Sequence, residues 1–356
     1  MTPRVERLRC RLAQDGLDAI LITQAENRRY LSGFTGSAGH LLISRDRAIL
    51  ATDFRYIEQG HAEAPDFDIL RIQGFPSNWL PALLSGSEIA KLGFEARDIS
   101  YRGYKEIAEA AGEIGTLSLV STDGVVESQR ALKDGEELNR LEEAAELADR
   151  ALEEVLPGVE PGTSERALAW KLERHMRGNG SEPLPFDIIV ASGPNSALPH
   201  AKPSDREIRP NEPVTIDLGA KVHGYCSDVS RTICLDGGDG TFNRIYDIVL
   251  GAQLTAMATL QEGMSGEQVD QLARTVIAQA GYEDNFGHGL GHGVGLAAHE
   301  EPRLGSGSSD ILVDGMVFTI EPGIYLSGWG GVRIEDTVVL EKGKLRPLTK
   351  AKKTRR

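Results

Sequence analysis

Four acidic residues in the C-terminal half fall within or beside runs that a folded chain would otherwise bury. Asp217 lies in Thr215-Ile216-Asp217-Leu218, Glu321 in Phe318-Thr319-Ile320-Glu321-Pro322-Gly323-Ile324-Tyr325, and Glu335 in Val332-Arg333-Ile334-Glu335-Asp336. Asp228 follows Asp217 by eleven residues, with His223-Gly224 between them. That dipeptide predicts a hairpin turn, which would bring the two aspartates together. A bare carboxylate in an apolar strand loses its hydration and must be paired or bound to a cation. Each aspartate alone reads equally well as a turn or a capped strand end, and a lone glutamate beside an arginine as a structural ion pair. Four such acids together need cations: they carry four negative charges, which two divalent ions balance.

A histidine cluster adds to this set. The run Gly287-His288-Gly289-Leu290-Gly291-His292-Gly293-Val294-Gly295 is followed by His299 and Glu300, so with His200 half of the eight histidines belong to this region. The alternating glycines are expected to let backbone approach a ligand closely and imidazoles project without crowding. No strict Gly-x-Gly-x-x-Gly or Gly-Lys-Ser/Thr register is present, which sets aside a nucleotide loop. One imidazole with four carboxylates is an oxygen-rich donor set suited to manganese, cobalt or iron, with zinc open. Paired metals about 3.5–4 Å apart make a nucleophile at neutral pH, so the chemistry indicated is hydrolysis.

At 356 residues the chain exceeds what one core usually supports, and two domains are expected. In the first third, Val5, Leu8 and Leu12 recur at helical spacing. Ala19–Ile22, Gly39–Ile43, Ala48–Thr52, Ile69–Ile72 and Lys91–Phe94 read as strands, with helices near Asn78–Leu84 and Tyr104–Ala111. This predicts an α/β domain over 1–126. The stretch Gly115–Lys133 is irregular, and Asp134 with Glu137 resembles a capping pair opening a helix to about Leu156, so the second domain spans 127–356. Within it, Gly162-Thr163-Ser164 aligns with Gly263-Met264-Ser265, Leu168 with Val269 and Gly180 with Gly281, at an offset of 101. Two helix-helix-strand units imply a pseudo-symmetric α+β domain with a site between its halves.

The net charge of −14 disfavours nucleic acid or anionic lipid as a partner. The basic cluster Lys350 to Arg356 reads as a solvated tail. Cys10, Cys226 and Cys234 are too few and too irregular for a disulfide framework or a thiolate zinc site, which suits a reducing compartment. Arg4, Arg7, Arg9 and Arg11 are followed by no signal-like apolar stretch, and no run approaches a membrane span; the expected location is the cytoplasm.

These residues, in this order, resemble the pita-bread metallopeptidases, the family of aminopeptidase P, prolidase, methionine aminopeptidase and creatinase. The resemblance runs from Asn27-Arg28-Arg29-Tyr30-Leu31-Ser32-Gly33-Phe34-Thr35-Gly36-Ser37-Ala38-Gly39 to Glu335-Asp336. It implies a creatinase/prolidase-type α/β N-terminal domain and a pseudo-two-fold pita-bread catalytic domain. It also implies two divalent metal ions, manganese foremost, with Asp217 on one, Asp228 and Glu335 bridging, and His292 and Glu321 completing the second. Glu321 would further act as general base, and His200 and His299 would meet the substrate carbonyl and the tetrahedral intermediate. His288 would line the cleft, while Arg333 and Tyr325 would hold ligand carboxylates or substrate; a purely supporting role is equally open for these three. His223 and His175 are left as surface or core residues.

The N-terminal domain favours the Xaa-Pro branch, because methionine aminopeptidases resemble only the C-terminal half and creatinase lacks the metal ligands. The expected substrates are short peptides with proline second, and the expected assembly is a homodimer. Prolidase and aminopeptidase P share the same five ligands, so the choice between them stays open. So do a metal-free peptide-binding module of this fold and a two-metal aminopeptidase without proline specificity. Arg55, in Thr52-Asp53-Phe54-Arg55-Tyr56, is either a residue that limits substrate length or one that pairs within its own domain.

Overall fold

The computed structural model describes residues 2–355, and they form one compact unit ending at Arg130 and a second beginning at Ala131. The sequence pattern puts the division a few residues earlier. The short helix Glu127–Arg130 belongs with the first unit because Asn27 Nδ2 donates to Glu127 Oε1 (2.8 Å) and Arg130 Nη1 to Asn27 Oδ1 (2.9 Å).

The first unit is built on a six-stranded mixed sheet in the order Asp68–Arg71, Ala48–Thr52, His40–Ser44, Ala19–Ile22, Lys91–Glu95, Ser118–Thr122. Ala19–Ile22 and Ala48–Thr52 are buried at every position and read as continuous apolar runs, as strands covered on both faces must. The helix Tyr101–Ile114 starts where Ser100 accepts a hydrogen bond from the Gly103 amide and ends at Gly115, whose φ of 76° suits a residue without Cβ. The stretch 115–133 is less irregular than its composition suggests, since it contains the strand Ser118–Thr122, whose half-exposed apolar positions blur the alternation. Arg55 pairs locally, its Nε and Nη2 donating to Asp53 at 2.9 and 2.7 Å.

The second unit opens as the capping pair predicts: Glu137 N donates to Asp134 Oδ1 (2.9 Å) and Asp134 N to Glu137 Oε2 (3.0 Å), starting the helix Gly135–Val155. The repeat is physical. Ser164 and Ser265 each cap a helix, Glu165–Gly178 and Gly266–Gln279, while Gly162 and Gly263 precede them at φ 91° and 87°. The two helices end alike, with Ser181 N donating to Met176 O and Tyr282 N to Ile277 O. Leu168 and Val269 are fully buried, each in a separate core.

One core lies against the three-stranded antiparallel sheet Val229–Cys234, Pro213–Leu218, Ile189–Ser192. The other lies against a five-stranded sheet running Glu300–Leu304, Gly291–Gly293, Val317–Ile320, Asp336–Glu341, Lys344–Pro347. Glu335 N donates to Ser230 O (3.1 Å) and Thr232 Oγ1 to Arg333 O (2.9 Å), so the two halves meet edge to edge.

The basic tail departs from expectation. Lys350 N and Ala351 N donate to the Asp149 carboxylate at 2.6 and 2.9 Å, and Arg231 Nε donates to Ala351 O at 3.0 Å. Lys353 Nζ lies 2.6 Å from Asp336 Oδ2, and Cys234 N donates to Arg355 O. Two buried acids draw in a segment whose charge alone reads as solvated; Arg356 lies outside the described residues. Among the described residues no helix is long and apolar enough to cross a membrane.

Candidate metal centre

Five of the sequence-selected residues converge from both halves. Asp217 lies on the strand Pro213–Leu218, opposite Ser230, and Asp228 immediately precedes the paired strand Val229–Cys234. The turn between them has φ of 49° at His223 and 82° at Gly224, as a tight hairpin turn demands. His292 lies in the strand Gly291–Gly293 of the other half. Glu321 and Glu335, expected within strands, instead lie at strand breaks: Val317–Ile320 stops before Glu321, and Glu335 separates Gly330–Arg333 from Asp336–Glu341. Pro322 supplies no N–H to continue a ladder, and the chain changes sheet at both points.

The donor atoms are close. One oxygen each from Asp217, Asp228 and Glu335 lie within 4.8 Å of one another, and so do donor atoms of His292, Glu321 and Glu335, and of Asp228, His292 and His299. His292 Nε2 is 3.4 Å from Glu321 Oε1 and 3.7 Å from Asp228 Oδ2. Its Nδ1 lies 3.1 Å from Gly293 O, and a carbonyl only accepts, so Nδ1 carries the proton and Nε2 presents its lone pair to the carboxylates.

Burial pushes the Asp228 and Glu335 carboxyls well above their usual range, and neighbouring carboxylates add to it. Burial likewise raises Glu321 to about 8 against the opposing pull of Arg333. Burial, with His299 nearby, lowers His292 to about 4. Protein groups alone therefore leave these acids poorly stabilised as anions. Asp217 Oδ1, moreover, is buried with no hydrogen-bond partner. A pair of divalent cations fits such a donor set.

Arg333 and Ser230 brace the cluster. Arg333 is buried; its Nη2 donates to Asp217 Oδ2 (2.6 Å), its Nε to Ser230 Oγ (2.9 Å) and its Nη1 to Tyr325 Oη (3.0 Å). Ser230 Oγ donates onward to Glu335 Oε2 at 2.7 Å. His288 Nδ1 lies 2.8 Å from Gly289 O, so its Nε2, 2.9 Å from Tyr325 Oη, accepts the phenol proton. A chain thus runs His288–Tyr325–Arg333–Asp217.

The five residues line a cavity of about 440 Å³ with His200, His288, His299 and Arg333; Tyr325 stands behind its wall. His200 and His299 are exposed, and the His299 ring centroid is 4.0 Å from that of His292. His175 and His223 lie elsewhere, near Glu154 and Glu143.

Sequence reasoning missed Ser230, Arg303 and Lys202, the last two on the cavity wall. Ser230 was findable, two residues past Asp228 and so on the same strand face. For Arg303 and Lys202 no local signal exists. The alternating glycines serve a second purpose besides the one expected, for Gly289 and Gly291 line the cavity. A Cβ on Gly291 would stand 2.0 Å from Thr319 O, on Gly293 2.1 Å from Glu301 O and on Gly295 2.2 Å from Glu300 Oε1. They also admit neighbouring protein.

An α/β unit ahead of a pseudo-two-fold α+β unit, with an oxygen-rich donor cluster where its halves meet, defines a pita-bread metallohydrolase. Residues 139–342 match metallopeptidase family M24, and residues 4–132 match the creatinase/prolidase N-terminal domain. The chain is 42% identical to an uncharacterized peptidase of Bacillus subtilis over 98% of each chain. It is similar to the solved Xaa-Pro dipeptidase of Bacillus anthracis (TM-score 0.94, 41% identity, 99% of this chain and 98% of that one). The X-Pro aminopeptidase of Thermotoga maritima is a further structural neighbour (TM-score 0.88, 36% identity, 99% of each chain). This protein belongs to metallopeptidase family M24.

Proposed function

We propose that the protein hydrolyses the bond between an N-terminal residue and a following proline in short peptides, using two divalent cations. The observation that carries this reading is the convergence of Asp217, Asp228, His292, Glu321 and Glu335 in one cavity, with Asp217 Oδ1 buried and unpartnered. Solved structures similar over nearly the whole chain are described as an Xaa-Pro dipeptidase and an X-Pro aminopeptidase, which supports the proline preference.

In this reading Asp217 would hold one cation, His292 and Glu321 would hold the other, and Asp228 and Glu335 would contribute to both. When bound, the cations supply positive charge that polarises the scissile carbonyl and acidifies water. Glu321, held as a carboxylate in the loaded site and lining the cavity, would take a proton from the attacking water. His299 and His200, both lining the cavity, would donate to the carbonyl oxygen as negative charge develops on it. Arg333 and Ser230 hold the Asp217 and Glu335 oxygens in place, and Tyr325 with His288 fixes Arg333. An Xaa-Pro bond has no N–H, so the wall facing it needs to fit a ring and not supply an acceptor.

Manganese is the cation proposed, from the oxygen-rich donors. The three cysteines are free thiols, which suits the cytoplasm, and a homodimer is the assembly proposed. The domain assignment carried with this reading places the boundary at 130/131, a few residues past the 126/127 division that the sequence pattern gives. The test is turnover of Gly-Pro, Xaa-Pro-Xaa and Met-Ala-Xaa peptides by metal-loaded protein. Cleavage confined to the proline peptides is expected, and preference for Met-Ala-Xaa refutes the reading.

A further inference from the structure

The ion pair of Lys133 and Glu300 lies outside the metal cluster and takes no part in the chemistry above. Lys133 Nζ is 2.8 Å from Glu300 Oε1, with side-chain exposures of 0% and 5%. Burying two charges costs several kcal/mol of hydration per ion, so such a pair is a poor source of stability and invites another explanation.

Glu300 directly follows His299 and opens the strand Glu300–Leu304. Its pairing partner is Gly293, one residue past His292, at a register shift between His292 and Gly293. The segment 294–299 is therefore a short loop whose ends are held by the strands carrying His292 and Glu300. Within it Gly295 N donates to Ala297 O, and Ala297 N donates to Glu300 Oε2 at 3.4 Å. Gly295 packs so closely on the Glu300 carboxylate that a Cβ would stand 2.2 Å from Oε1. One carboxylate thus gathers both limbs of the loop. Lys133 fixes that carboxylate from outside, and is itself anchored by its own amide, which donates to Gly315 O at 2.9 Å. His299 is exposed, with the His292 ring 4.0 Å away on one side, so the backbone of the loop sets where its ring lies.

We propose that Lys133 and Glu300 are positioning residues that hold His299 over the metal cluster. This rests on the hydrolytic reading above, in which His299 meets the substrate carbonyl. A displacement of about 1 Å in such a group lowers turnover by roughly 10- to 100-fold.

The test is a double-mutant cycle of Lys133→Met with His299→Ala, reading kcat and KM on Gly-Pro together with the bound-metal content. Lys133→Met is expected to lower kcat at least tenfold, with KM and metal content within about twofold of wild type. In the His299→Ala background the same change is expected to lower kcat less than about twofold, because the group it positions is gone. A kcat unchanged by Lys133→Met, or losses that multiply in the double variant, overturns the proposal. Should Lys133→Met fail to fold, Glu300→Gln keeps the side-chain shape and is read by the same cycle. Lys133→Met/Glu300→Leu, which removes both charges, is expected to restore folding but not kcat; full restoration of kcat counts against positioning. If wild type cleaves Met-Ala-Xaa and not Gly-Pro, the proline reading fails while the cycle runs unchanged on that substrate.

Discussion

Removing the metals should give the folded protein an alkaline weakness that the loaded protein lacks, and Glu321 sets its scale. Its carboxyl is raised from 4.5 to about 8 by burial. A group whose folded value lies above its unfolded one contributes stability that is complete below the unfolded value and lost as pH rises through the folded one. Between pH 7 and 8.5 the folded state releases most of this proton while the unfolded state has none to release. At 1.36 kcal/mol per unit of pH for a full proton, the partial titration amounts to about 1.3 kcal/mol from Glu321 alone. Asp228 and Glu335 are raised as well and act in the same direction. His288 and His292, lowered to about 4, are neutral in the folded state throughout this range. Each opposes the loss by only about 0.2 kcal/mol, because few unfolded imidazoles remain protonated above pH 7. At about 2.1 cal/mol/K per residue, a chain of 356 residues shifts its midpoint by roughly 1–2 °C per kcal/mol, so chelated protein should lose about 1–2 °C from pH 7 to 8.5. Metal-loaded protein, its carboxylates held as anions, should change by less than half of that. Scanning calorimetry on both forms reads the difference, and Glu321→Gln should flatten the chelated curve. Equal slopes for loaded and chelated protein, or a chelated midpoint that rises with pH, would show that the carboxylates are stabilised by something other than cations.

Other perturbations follow from the same contacts. Arg333→Met leaves the Asp217 carboxylate without its charged partner and should destabilise chelated protein by about 3–5 kcal/mol, read by urea unfolding. Gly291→Ala drives a Cβ to 2.0 Å from Thr319 O, and backbone must shift; a loss of at least about 2 kcal/mol and weakened metal retention are expected on calorimetry and metal analysis. Asp149→Ala removes the acceptor of two tail amides and should cost about 2 kcal/mol, with faster hydrogen exchange at Lys350 and Ala351. Arg55→Ala, losing only its local fork to Asp53, should leave the ratio of dipeptide to tripeptide turnover unchanged; a shift in that ratio gives Arg55 a part in substrate selection.

Much of this was legible in the chain, for identifiable reasons. Asp217 shows itself because a charge in an apolar strand is anomalous, and the His223-Gly224 turn states which strands pair. Ser164 and Ser265 mark the repeat because a helix start needs a side-chain acceptor at a fixed place. What stayed hidden depends on contacts distant in sequence. The docking of Lys350–Arg355 is set by Asp149 and Asp336, and nothing near the tail announces them. The breaks at Glu321 and Glu335 look like strand interiors in the sequence, since an apolar run does not reveal where a chain changes sheets. The glycines of the histidine run signal that backbone approaches a ligand, since Gly289 and Gly291 line the cavity, but not that Gly291 and Gly293 also admit the backbone of Thr319 and Glu301.

Whether five side chains hold a pair of cations that the hydrolysis requires is tested most directly by titrating chelated protein with manganese while following both bound metal and Gly-Pro turnover. Two equivalents per chain are expected, with activity absent from the chelated protein and restored as the sites fill, and loss of at least one equivalent in Asp217→Asn. Chelated protein that cleaves Gly-Pro as fast as the loaded form, or an Asp217→Asn variant that still binds two, would contradict this.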